Sequence, residues 1–159
     1  MIAPLLNLLV NCFEQSRSDT LTAKVLQAIN NLMTWPLPSK MIKKTQKVIR
    51  NQVFDVLAQR GLDTAAPIVQ ACFGVLATLL EKRSLDLNQQ QSEILVDLIR
   101  GSIDNATVLQ KASFKLAKAL IHRKVLAPCV YDLVEHMCEL LVIAQDENVR
   151  RDCRAVVVR

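Results

Sequence analysis

A chain of 159 residues carries enough material for one domain with a useful core. It is 51% hydrophobic but holds only 3 Gly, 5 Pro and 4% aromatic residues, which argues against a sandwich or barrel, whose many short strands need many turns. Leu, Ala, Val, Ile, Lys and Gln dominate and suit helices joined by short loops, while a net charge of +5 is compatible with an acidic partner without demanding one.

The first predicted helix runs from about Ile2 to Gln15. The second opens at Ser18 or Asp19, with Leu21, Val25, Ala28, Ile29 and Leu32 on one face. It stops before Trp35-Pro36-Leu37-Pro38, because a proline biases its predecessor away from helical geometry. Ser39 is the expected cap of a third helix, with Ile42, Thr45, Val48, Ile49, Val53, Val56 and Leu57 inward and Gly61 at its end. A fourth has Pro67 in its first turn and runs to about Lys82.

A fifth helix is expected from about Asn88 to Arg100, closed by Gly101, and a sixth from Asp104 or Asn105 to near His122. Pro128 opens the seventh, with Val130, Val134, Met137, Cys138 and Leu141 as its stripe. Asp146 caps the eighth, which is expected to run to the last residue, Arg159.

Eight helices make about four antiparallel pairs, over approximate repeats 1–35, 36–83, 84–124 and 125–159. Val25, Val69, Leu109 and Val149 recur in the second helix of each pair, followed by Leu32, Leu76, Leu116 and Val156, at spacings of about 44, 40 and 40 residues. In the third pair Val108 competes with Leu109 for the register. That period fits an all-α, HEAT/armadillo-type α-solenoid. Gln145-Asp-Glu-Asn-Val149-Arg150 resembles the HEAT intrarepeat turn, in which an acidic cap precedes Val-Arg at the helix start. The apolar first helix and the apolar Ala155-Val156-Val157-Val158 lack the polar outer face of a solenoid cap, so neighbouring repeats of the same chain are expected partners at both ends.

Chemistry is sparsely provided. Phosphate-binding glycine loops, dinucleotide fingerprints and Gly-x-Ser-x-Gly elbows are lacking, so neither an enzyme nor a cofactor is expected. Cys129, His136 and Cys138 make a poor zinc set, since residues two apart on a helix point away from each other. Cys12, Cys72, Cys129, Cys138 and Cys153 read as reduced, buried thiols of an intracellular protein, because no secretory start precedes them. No apolar run reaches membrane-spanning length unbroken.

Basic residues are the candidate contacts. Lys40, Lys43, Lys44, Lys47 and Arg50 form a stripe on the third helix, able to follow phosphates without reading bases or to serve only as its solvated face. Arg123 with Lys124 and Arg151 with Arg154 are two further groups, while Arg150 has a structural use in the HEAT turn. With no aromatic interleaved, base stacking is not expected. Trp35 reads as packing over helix ends in preference to an exposed docking anchor.

Two stretches carry a family resemblance: Ile121-His-Arg-Lys-Val-Leu-Ala-Pro-Cys-Val-Tyr131-Asp-Leu-Val, and Ala144-Gln-Asp-Glu-Asn-Val-Arg-Arg-Asp-Cys-Arg154. They resemble the C-terminal half of the small-subunit processome component 20 family, also called down-regulated-in-metastasis: very large nucleolar HEAT-repeat proteins. The turn Leu32-Met-Thr-Trp-Pro-Leu-Pro-Ser39 is similar to a Leu-Pro-Leu-Pro element of that family. The resemblance implies a non-catalytic scaffold in the nucleolus or nucleus that supports small-subunit processome assembly and pre-18S rRNA processing. The implied partners are pre-ribosomal proteins and small nucleolar RNP components, with pre-rRNA touched through its backbone. Two alternatives stand beside it: an unrelated HEAT adaptor, such as a transport receptor or a phosphatase or kinase scaffold, and direct RNA binding by the basic stripe.

Overall fold

Apolar residues spaced three and four apart fold here as amphipathic helices whose stripes meet in pairs. The computed structural model describes residues 2–60, 67–83, 85–105, 108–123 and 125–158. Among these there are eight helices and no strand: α1 (Ile2–Gln15), α2 (Asp19–Met33), α3 (Ser39–Arg60), α4 (Pro67–Arg83), α5 (Gln89–Asp104), α6 (Gln110–His122), α7 (Pro128–Ile143) and α8 (Glu147–Val157). They pack in neighbouring pairs, the arrangement of an α-solenoid. The chain forms two compact units, Met1–Leu85 and Asp86–Arg159.

In the first unit α1 pairs with α2 and α3 with α4, while α2 lies against α4 and α1 against α3. Stacking second helix on second helix is how one helical hairpin covers the apolar face of the next. The α2–α4 contact is the most extensive. α2 buries Val25, Leu26, Ile29, Leu32 and Met33, and α4 is buried nearly all round, from Ile68 and Val69 through Phe73 and Leu76 to Leu80. An apolar helix with so little polar face must sit in the middle of its unit. Thr78 resolves its own hydroxyl by donating to the Gly74 carbonyl at 3.1 Å.

Polar ties lock the hairpins together at one end. The Arg83 guanidinium donates through Nε to the Met33 carbonyl at 2.8 Å and through Nη2 to the Trp35 carbonyl, filling acceptors that the end of α2 leaves open. Gln46 of α3 donates to the Arg83 carbonyl at 2.6 Å.

The second unit repeats the scheme: α5 pairs with α6 and α7 with α8, α6 lies on α8 and α5 on α7. Leu95 and Ile99, Leu116 and Leu120, Leu133 and Met137, and Cys153 and Val156 fill its core. Asn88 opens α5 with a full capping box, accepting from the Gln91 amide at 2.7 Å while the Gln91 side chain accepts from the Asn88 amide. Asp146 opens α8 and accepts from the Asn148 amide at 2.8 Å, as its place in the HEAT-like turn predicts.

Several local expectations are corrected. Gly101 lies inside α5, which continues to Asp104 because Ser102 and Ile103 extend the buried face. Their burial offsets the roughly 1 kcal/mol that a helical glycine costs. Asn105 therefore ends α5 instead of starting α6, with its amide and side chain both donating to the Gly101 carbonyl; α6 begins only at Gln110. Ser39 is the first residue of α3 and not its cap, for the Pro38 carbonyl already accepts from Met41 and Ile42. α8 stops at Val157, and the expected end of the third helix at Gly61 lies outside the described residues.

Burial also departs from the stripes in places. Leu21 is exposed, and Thr22 and Ala23 take the inward positions instead, because Thr22 can return its hydroxyl to the Ser18 carbonyl at 2.8 Å. Cys138 is exposed and Leu133 takes the inward place on α7. Leu109 is 1% exposed and Val108 73%, so Leu109 is the inward residue of the two, although it caps α6 instead of lying within it.

Candidate functional site

The stripe on α3 is the most coherent charged feature of the first unit. Lys40, Lys43, Lys44 and Lys47 are all exposed, and their i, i+3, i+4, i+7 spacing puts them on one face over about 10 Å of helix. The opposite face holds the buried Thr45, Ile49, Val53 and Leu57, so packing of the core fixes where the lysines point. Among the described residues none of these four lysines is paired with a carboxylate. Arg50 is half-buried and engaged, so it stands apart from the four lysines.

Further along α3 the character changes. Arg60 is ion-paired with Asp19 of α2. Beside that pair lies a hollow of about 280 Å³ with Glu14, Arg17 and Asp55 among its walls. Mixed charge of this kind gives no net field for a polyanion.

The second unit gathers the other basic groups unevenly. Arg123 is exposed and engaged within the protein, and Lys124 lies outside the described residues. Arg150 turns inward: its Nη1 donates to the Ala144 carbonyl at 2.7 Å and sits 3.5 Å from that of Gln145, closing the α7–α8 turn. Arg151 and Arg154 project outward, with Arg151 loosely held at 3.5 Å by its neighbour Asp152. Together with Leu141, Glu147, Asn148 and Arg150 they line a hollow of about 540 Å³.

The residues weighed for metal or catalysis do not assemble. His136 meets Asp104 at 2.7 Å and Glu139 at 4.0 Å, tying α7 to the end of α5. Among the described residues no group of three or more His, Cys, Asp or Glu is placed to hold a metal ion. All five cysteines are free thiols, but only Cys72 and Cys153 are buried; Cys12 and Cys138 are exposed and Cys129 is intermediate. Burial pushes the Cys72 thiol up to about 12. Burial, then Asp152 and Cys138, push Cys153 up to about 11. Burial foremost, with help from Glu93, raises Cys129 as well.

Trp35 also departs from expectation. It is 51% exposed instead of packed over the helix ends. Arg83 occupies the carbonyls of that turn, so the tryptophan backbone is fixed and its ring is left outward. The sequence offers no signal for this, because the partner lies 48 residues away.

Paired helices stacked first on first and second on second, with charge on outer faces, define the helical-repeat class of α-solenoid. No family model and no solved structure matches the chain. It is similar to the U3 small nucleolar RNA-associated protein 20 of Schizosaccharomyces pombe, at 23% identity over 119 residues. The match spans 75% of this chain and 5% of that protein.

Proposed function

We propose that this chain is a non-catalytic scaffold segment of a ribosome-biogenesis factor, acting in the nucleolus on small-subunit processome assembly and pre-18S rRNA processing. The observation that carries the reading is the similarity to a U3 small nucleolar RNA-associated protein along three-quarters of the chain. Stacked hairpins support it, since within each unit they set helix faces side by side for partners. The partners are pre-ribosomal proteins and small nucleolar RNP components. No catalytic step is assigned, and the histidine with the most partners, His136, is spent on linking α5 to α7.

The test is sedimentation of the tagged full-length protein from nuclear extract. Recovery with U3 RNA and uncleaved pre-18S precursors is the expected result. Recovery with import cargo, or with a kinase or phosphatase and no U3 RNA, overturns it in favour of an unrelated adaptor.

The exposed lysines of α3 favour a second reading, in which this face touches pre-rRNA through its backbone. Replacing Lys43, Lys44 and Lys47 with Glu should leave helicity intact. It should lower the slope of log affinity against log salt by about 2 to 3, the loss of three phosphate contacts. An unchanged slope makes the stripe a solvated face.

A further inference from the structure

The hollow between the end of α7 and α8 has no part in the reading above. Its floor is Leu141, half-buried in the last turn of α7, and its rim is Glu147, Asn148, Arg150, Arg151 and Arg154. Arg150 is fixed in place by the Ala144 carbonyl, so its positive charge is already ordered. Glu147, Arg151, Arg154 and Val158 are spaced i, i+4, i+7, i+11 and share one face of α8 and its end. The side chain of Arg151 is 70% exposed and Val158 62% exposed. Val142 and Ile143, which follow Leu141, are 83% and 70% exposed.

Charge and the apolar Leu141 therefore share a concave site, with the exposed Val158 outside its walls, and that combination selects among ligands. A nucleic-acid backbone would use the arginines, gain nothing from Leu141 or Val158 and be repelled by Glu147. An acidic amphipathic helix uses both kinds of surface: its carboxylates take Arg151 and Arg154, and its apolar edge covers Leu141 and Val158. Three guanidinium groups against Glu147, with Asp152 loosely held by Arg151 at 3.5 Å, still leave the rim net positive, which is complementary to such a helix and not to a basic one. We infer that the α7–α8 hollow is a docking site for an acidic amphipathic helix of a protein partner. This holds whether or not the protein works on pre-ribosomes.

The probe is a fluorescent 15-residue helical peptide with Glu on one face and Leu on the adjoining edge, followed by anisotropy on the purified chain. Binding is expected to weaken about tenfold or more in the Arg151→Glu/Arg154→Glu double variant, equivalent to about 1.4 kcal/mol or more. A several-fold loss is expected in Leu141→Asn with Val158→Asn. Circular dichroism of each variant must match that of the parent. A Leu-free peptide of equal charge binding as well as the probe would overturn the inference. So would competition by a poly-uridine oligonucleotide that the Leu141→Asn change does not affect, which would make the site a phosphate contact.

Discussion

Arg83 is the side chain on which the first unit's hairpins most visibly depend, and replacing it with Met tests that dependence. The change keeps most of the aliphatic length but removes the donors to the Met33 and Trp35 carbonyls. Met33 itself is 0% exposed, so water has poor access to the carbonyl left behind. A hydrogen bond to a charged group contributes about 1.5 to 3 kcal/mol, and the Trp35 end is open enough to recover part of its share from water. The expected loss is therefore about 2 to 4 kcal/mol, a large fraction of the 5 to 15 kcal/mol typical of a domain. Trp35 is the sole tryptophan and its own carbonyl receives the guanidinium, so its fluorescence during urea unfolding reports this unit directly. Arg83→Lys should recover only part of the loss, since one ammonium cannot reproduce the fork reaching both carbonyls. A wild-type urea midpoint in Arg83→Met, with unaltered Trp35 emission, would refute the assignment.

Two further outcomes follow from burial. Leu76 is fully buried at the α2–α4 contact, so Leu76→Asp adds an unpaired charge to a cavity loss of about 2 to 5 kcal/mol and should leave the first unit unfolded; a soluble variant with cooperative melting would contradict that core. Cys12 and Cys138 should be alkylated quickly at pH 8 while Cys72 and Cys153 stay protected until unfolding, as mass mapping would reveal. Because the Cys72 and Cys153 thiols ionise higher in the folded chain than the ordinary 9.0, their contribution to stability is complete below about pH 9. It is lost progressively as pH rises from about 9 up to about 11 to 12, so urea midpoints should fall across that span. Midpoints that stay level there would contradict the buried placement.

Much of the architecture was legible because it follows from periodicity. Helix starts at Asp19, Pro67 and Pro128, and the Asp146 cap, all lie where a local chemical signal sits. Where expectation failed, a longer-range gain had overridden a local cue. Gly101 reads as a stop in isolation, but Ile103 one turn from Ile99 has a core to enter, and α5 runs on. Trp35 reads as a plug over the helix ends, but Arg83 supplies from far along the chain what would otherwise need covering.

Sites were less legible than elements, for a related reason. The α3 stripe can be drawn from sequence because one helix carries all of it, and its burial pattern leaves its lysines outward. The α7–α8 hollow cannot, because its value depends on Leu141 of one helix facing Arg151 and Arg154 of the next. From sequence those arginines are only two more charges. Arg150, already set apart in the sequence by its place in the HEAT-like turn, has its guanidinium anchored there and shapes the site on which the other two act. A basic cluster in a helical repeat is therefore best divided by what each guanidinium already holds, since one anchored on backbone carbonyls shapes a site while one in a loose surface ion pair can still exchange partners.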